Sequence, residues 1–365
     1  MSGLSAASPP ATMPHSWASA WSWARTNLFA SPAGAIVSIA MFAAIASGLV
    51  AAVDWAILNA NWAATGAEPC RRAIGACWAV IPEKYRVMLF GFYAYDEHWR
   101  PALAIIVFVA AAGITGIPRF WRWQITVPLW ISVAITIFLL LRGGVLGLTH
   151  QETALWGGLP LTLIIFSAQL ALGLPLGVLL ALGRRSSLPA ISIGCVILIE
   201  GVRAVPPIAL LFFAAIVSPL FLPPGTDMDK LLRVIVAMVI LQACLQAEVV
   251  RGGLQAVPDG QTEAASALGL GHWATLWTVI LPQALRTVIP GLTNQIIQAF
   301  KNSTLVIIVG MFDFLNTTTA AISDPKWIRF FVEAYVFAAV VYFCGCWLIS
   351  AYGRFLEEYF KLVRN

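Results

Sequence analysis

Long stretches without a charged residue alternate along this chain with short polar connections. Uncharged apolar runs cover Ala35–Val53, Pro101–Pro118, Trp123–Leu141, Thr153–Gly183 and Ala334–Gly353. Three more runs are interrupted by charge. Ser186–Leu222 holds Glu200 and Arg203, Lys230–Val250 holds Arg233 and Glu248 near its ends, and Thr287–Phe312 holds Lys301. A hydrocarbon core about 30 Å thick needs roughly 20 apolar residues in a helix. The pattern therefore predicts an all-α integral membrane protein with about eight transmembrane helices, of which Pro101–Pro118 is only just long enough. Three lie in 35–150, after a tail at 1–34, and five in 151–365.

Composition agrees: 60% of residues are hydrophobic and 11% charged, against about a quarter charged in soluble chains. The net charge of +5 is small over this length and gives no support for nucleic acid as a partner. Basic residues instead orient the spans. With the N-terminus inside, the short inner connections carry Arg119, Arg122, Arg184, Arg185, Arg251, Arg286, Arg354, Lys361 and Arg364, while the outer loop 219–229 carries Asp227 and Asp229. The long outer loop 54–100 departs from the rule with Arg71, Arg72, Lys84, Arg86 and Arg100, which Asp54, Glu68, Glu83, Asp96 and Glu97 offset. Trp17, Trp21 and Trp23, and Trp121, Trp123 and Trp130, read as interfacial anchors.

One polar segment, 251–286, is too punctuated to cross a membrane. Pro258-Asp259-Gly260 is turn chemistry with a helix N-cap expected at Asp259 or Thr262. A short Ala-rich helix follows, with Glu263 in its first turn, and stops at Gly269 and Gly271. A second short helix is expected over His272–Leu281, ending at Pro282. Glu263-Ala264-Ala265, a Gly six positions after the Glu (Gly269), and Leu281-Pro282 twelve positions beyond that Gly resemble the EAA loop of bacterial ABC-importer permeases. That family usually has Ile where Val279 stands. Glu248 to Gly253, Gly260-Gln261, Arg203 with Pro206-Pro207, Asn294-Gln295 and Lys301 to Thr304 resemble its polar amino-acid branch, with Ser303-Thr304 exchanging the family's two hydroxyl residues. The motifs cover roughly 151–365. Three added helices before a five-helix type I core resemble the longer permeases of general L-amino-acid and glutamate/glutamine/aspartate/asparagine importers.

The resemblance implies the transmembrane permease subunit of an ATP-driven importer of polar L-amino acids in the bacterial inner membrane, both termini cytoplasmic. It implies an ABC ATPase dimer gripping Glu263 and the Gly269 turn, a second related permease and a periplasmic amino-acid-binding protein. No cofactor is expected in this chain, which lacks the phosphate loop G-x-x-x-x-G-K-[ST]; ATP and Mg would sit in the partner ATPase, and no enzyme activity is expected here. Alternative readings are a permease for another small solute or an ion-coupled secondary transporter. Many such transporters show inverted repeats, which the unlike halves of this chain lack.

Charges at membrane depth usually face protein or water. Glu200 and Arg203, three apart on one helix face and one turn before Pro206-Pro207, are candidates either for the translocation pathway or for a buried packing pair. Asn294, Gln298, Lys301 and Thr304 recur at helical spacing as one polar stripe, suited to a pathway or to a subunit interface. Glu248 and Arg251 read as a local pair. Cys70 and Cys77, the two cysteines outside the expected spans, could be bridged in an oxidising compartment or remain free thiols. No Cys/His spacing suggests a metal site.

Overall fold

The computed structural model describes residues 17–62, 66–145, 147–223, 225–226 and 228–362; Asp227 and Arg364 lie outside them, as do the side chains of Trp17 and of its two neighbours. Every named element among the described residues is helical. The chain divides into two compact units, Met1–Ala79 and Val80–Asn365.

In the first unit, α1 (Trp17–Asn27) precedes α2 (Pro32–Val53). The hydroxyl of Ser31 accepts the Gly34 N–H at 3.1 Å and Pro32 opens the helix, a regular N-terminus. No residue of α2 is buried, as suits a span whose whole circumference is apolar. A π-turn (Asp54–Leu58) and the one-turn helix α3 (Glu68–Arg71) follow. A Cys70–Cys77 disulfide, with Cα atoms 5.6 Å apart, closes the loop. Trp78 stacks on Trp62 and donates its indole N–H to the Ala56 carbonyl at 2.7 Å.

In the second unit, the stretch read as one outer loop contains a helix, α4 (Val80–Phe90). Then come α5 (Trp99–Thr115), α6 (Trp123–Arg142), α7 (Gly158–Arg184), α8 (Pro189–Ala204), α9 (Pro207–Phe212) and α10 (Lys230–Ala256). α7 begins at Gly158 rather than Thr153: Thr153–Leu155 is a 3-10 turn, and Trp156 and Gly157 after it are extended. α7 and α10 run parallel in close contact. A Cβ on Gly177 would stand 2.9 Å from the Ala243 carbonyl and 3.0 Å from the Gln246 Cβ, so glycine permits the approach. One core cluster joins Ala104 and Ala111 of α5, Val133, Ile137 and Leu141 of α6, Leu161 and Ile165 of α7, and Val234 and Met238 of α10. Arg100, fully buried at the start of α5, bonds Glu97, Thr149 and the Leu140 carbonyl. That is a structural role for a residue that sequence alone placed with the outer-loop bases.

Among the described residues, six helices are long and apolar enough to cross a membrane, and a seventh crossing arises if α8 and Pro207–Phe221, bent by 106°, count as one broken span. The run Thr287–Phe312, expected as a further span, is not one long apolar helix, so the described residues give six or seven candidate spans rather than about eight. α14 (Ile289–Asn302) has 14 residues and passes into a 7-residue 3-10 stretch, Ser303–Val309, which Gly310 ends in the left-handed region. α15 (Phe314–Ala321) and the 32-residue α16 (Phe331–Leu362) complete the chain. Trp123 is 73% exposed, as an anchor would be. Trp121 and Trp130 depart from that reading. Trp130 meets Phe108 edge-on, and Trp121 turns inward onto α16 because its N–H finds the Thr115 carbonyl at 2.9 Å.

Candidate functional site

α10 delivers the chain into the polar segment. Val257 and Pro258 are extended, and α11 (Asp259–Ala267) starts immediately after. Its N-cap is Pro258, not Asp259 or Thr262: the ring holds φ at −62° and supplies the extended entry, with no side-chain cap bond. The carboxylate in the first turn is therefore that of Asp259, complementing the helix dipole. Glu263 sits a turn further in and is exposed. The stop is a Schellman motif. Gly269 has φ +79°, its N–H reaches the Ser266 carbonyl at 3.0 Å, and the Leu270 N–H reaches Ala265 at 3.1 Å.

The second helix does not end at Pro282. α12 (His272–Thr275) leads through a π-turn, Leu276–Ile280, into α13 (Leu281–Thr287), with Pro282 in its first turn. A proline lacks the N–H and crowds the carbonyl four residues back. The wider turn relieves both, so the helix passes through. The Gln283 amide donates to Gln261 at 3.0 Å, tying α13 to α11. Ala265, Thr275, Leu281 and Ala284 are buried beneath, while Leu268, Trp273 and Trp277 are 82, 67 and 51% exposed. Sequence reading missed this apolar tip; two Trp beside a docking segment were the available signal.

Glu200 and Arg203 pair at 3.4 Å, though not as an isolated pair. Arg184, from the end of α7, bridges Glu200 at 2.9 Å and Glu248 at 2.5 Å. Glu248 also holds Arg251 at 2.8 Å and lies 3.8 Å from Arg203. Glu248 and Arg251 are thus part of a five-residue cluster joining α7, α8 and α10, not a local pair. Glu248 is its hub because its side chain, 18% exposed, is the more enclosed of the two carboxylates; that of Glu200 is half exposed. Arg184 was missed because sequence assigns it to a connection, whereas the helix carries on through it.

Beyond α8 the chain breaks at Val205 and Pro206, both extended. α9 packs against Ser303–Val309, so the proline break meets the end of the polar stripe. On α14, Asn294, Gln298 and Lys301 are exposed and Thr304 half-buried, while Ala299, Phe300 and Ser303 face inward. Ser303 belongs to a buried knot around Asp313, which accepts from the Tyr342 hydroxyl at 2.8 Å and the Asn316 N–H at 3.1 Å. Asp313 caps α15, its carboxylate accepting the Asn316 N–H, a role for which Asp is among the favoured residues. Among the described residues no cluster of His, Cys, Asp and Glu fits a metal ion.

The family model "binding-protein-dependent transport system inner membrane component" matches residues 173–360. The inner membrane amino-acid ABC transporter permease protein YhdY of Escherichia coli (strain K12) is 42% identical over 98% of this chain and 97% of its own length. The glutamate/glutamine/aspartate/asparagine transport system permease protein BztC of Rhodobacter capsulatus is 34% identical over 96% of both chains. A crystal structure of an amino acid ABC transporter with histidines shares 28% identity over 55% of this chain and 91% of that one, at a TM-score of 0.49. This chain belongs to the family of inner-membrane permease components of binding-protein-dependent ABC importers.

Proposed function

We propose that this chain translocates polar L-amino acids, delivered by a periplasmic binding protein, across the bacterial inner membrane. The residues from 151 to 365 form its permease core, with the three preceding spans and the loop 54–100 as an extension. Both termini and segment 251–286 lie in the cytoplasm. A second, related permease completes the pathway, and a separate ATPase dimer binds ATP and Mg and docks on 251–286. The relatives YhdY and BztC, both named as amino-acid permeases and aligned over nearly the whole chain, support the substrate class.

The observation that carries this reading is the build of 251–286. A buried underside (Ala265, Thr275, Leu281, Ala284) fixes it to the bundle, and an exposed apolar tip (Leu268, Trp273, Trp277) offers a surface to another protein. Closure of the ATPase would move this segment and, through α10 and α13, rock the core between outward-open and inward-open states. In that cycle Glu200, Arg203, Pro206 and Pro207 flank the route, and Asn294, Gln298, Lys301 and Thr304 face it. Their amides, hydroxyl and ammonium suit the charged ends of an amino acid.

The test is Gly269→Trp in the complete transporter. A Cβ at Gly269 meets nothing within 4 Å in this chain, so the added ring has open space toward any docked partner, and the left-handed backbone adds a strain that a second variant must carry as well. Uptake and substrate-stimulated ATP hydrolysis are expected to vanish while the chain inserts at normal levels. Gly269→Asn, which tolerates the left-handed backbone, should retain most of both. Normal uptake and coupling in the Trp variant would refute the docking reading.

A further inference from the structure

The segment between α5 and α6 meets the last turns of α16, which also reach α5 where the Tyr352 hydroxyl donates to the Thr115 carbonyl at 3.5 Å. Trp121 lies between α5 and α6, outside the family match at 173–360. Its ring meets Tyr359 edge-on at 5.2 Å, stacks on Phe360 at 6.2 Å and meets Phe355 at 6.4 Å. Its N–H is held by the Thr115 carbonyl at 2.9 Å. The Phe360 ring also carries Arg286, whose guanidinium carbon sits 5.2 Å from its centroid. Arg286 is in the last turn of α13, and no ion pair to it is present among the described residues. Directly after it the chain leaves helical geometry at Val288 (φ −100°, ψ 8°) before α14 begins.

That junction is the point where a push on 251–286 either turns α14 or is lost in bending. α14 is held to α16 at Gly345, packed on Phe300, and at Gly353, packed on Thr293. The end of α16 is in turn held by Trp121. We propose that Trp121 is a positioning residue for energy coupling: with Phe360 it forms a brace on which Arg286 rests, so that movement of the coupling segment passes into α14. This rests on the coupling role proposed above for 251–286, and it assigns part of the N-terminal extension a task. The bracing forces are ordinary ones: aromatic edge contacts and a cation over a ring face.

The experiment uses the complete reconstituted transporter and measures ATP hydrolysed per L-glutamate, L-glutamine, L-aspartate or L-asparagine taken up. Trp121→Ala should raise that ratio roughly two- to tenfold, the factor carried by an aromatic pair. Trp121→Phe, which keeps a ring, should restore most of it. Should Trp121→Ala fail to accumulate, Arg286→Gln is the second variant. Its exposed side chain makes unfolding a poor explanation of any change, and it should raise the ratio in the same direction while Arg286→Lys does not. Trp123→Ala, at an exposed neighbouring site, should leave the ratio unchanged. A wild-type ratio in both Trp121→Ala and Arg286→Gln, or equal loss in Trp121→Phe and Trp121→Ala, would overturn the brace. If Gly269→Trp also left coupling intact, the coupling segment itself would have been misread; if only Gly269→Trp uncoupled, the brace alone would be wrong.

Discussion

Two polar groups inside this apolar chain meet opposite fates. Glu200, Arg203, Glu248 and Arg251, with Arg184, satisfy one another across three helices. Asn294, Gln298 and Lys301 line one exposed face of α14, and no ion pair to Lys301 is present among the described residues. A saturated cluster has little left to offer a passing solute; a stripe of free donors and acceptors at membrane depth has nothing else to do but meet a solute or a partner chain. The comparison gives the cluster the task of holding α7, α8 and α10 together, and it fits the proposal that the stripe meets the solute. Each assignment can be broken separately.

The largest effect is expected at the hub. Glu248→Ala leaves Arg184 and Arg203 sharing Glu200, and Arg251 with the Gln255 amide oxygen at 3.3 Å and no ion pair among the described residues. Breaking a fully buried pair costs about 3–5 kcal/mol. Partial exposure reduces that, so about 2 kcal/mol is expected here. Membrane levels of the chain should fall, and Glu248→Gln should recover only part of the loss. Glu200→Ala should cost much less, because half-exposed Glu200 has water as a replacement partner. Equal losses in the two alanine variants would contradict the hub.

Lys301→Ala comes next, and it should separate stability from transport. The side chain is exposed and no bond to it is recorded among the described residues, so the chain should reach the membrane at normal levels. A charge-assisted hydrogen bond to a solute is worth about 1.5–3 kcal/mol, which is roughly ten- to a hundredfold in affinity. Uptake at limiting substrate should drop by about that factor. Lower chain levels with normal uptake per molecule would move Lys301 to the structural side.

Much of this was legible in the residues. Charge-free runs mark spans because a charge in hydrocarbon is expensive, and Pro206-Pro207 marks a break because the backbone cannot continue there. The Schellman stop at Gly269 was legible for a similar reason, since a left-handed residue is nearly always glycine. What escaped was set by partners far away in sequence. Arg184 meets Glu248 across 64 positions and Trp121 meets Tyr359, and no local pattern encodes either. Pro282 misled because a single proline reads as a stop, whereas a π-turn can absorb it. α4 was hidden because its apolar face matches α15 and α7 rather than lipid, leaving a mixed composition that reads as loop.

The smallest effect is expected at an ion pair outside the bundle, and it sharpens the contrast between enclosed and exposed saturation. Lys84 on α4 reaches Asp324, beyond the end of α15, at 2.9 Å. The hydrogen bond from Lys84 holds the Asp324 carboxyl below its ordinary range. A depressed carboxyl contributes stability that is present above its unfolded value, near 4, and is lost as pH falls through the folded value. Melting of the detergent-solubilised wild type should therefore respond more to mild acid than that of Asp324→Asn, in which nothing titrates at that position. Because surface pairs are screened within about 8–10 Å at ordinary ionic strength, raising the salt should shrink the difference between the two proteins. The Glu248 side chain is more enclosed than that of Asp324, 18% against 34% exposed, so the gap between wild type and Glu248→Gln should respond less to the same salt. A Glu248 gap that closes with salt as readily as the Asp324 gap would mean that the cluster is solvated, and would return Glu200 and Arg203 to the list of groups free to meet a solute.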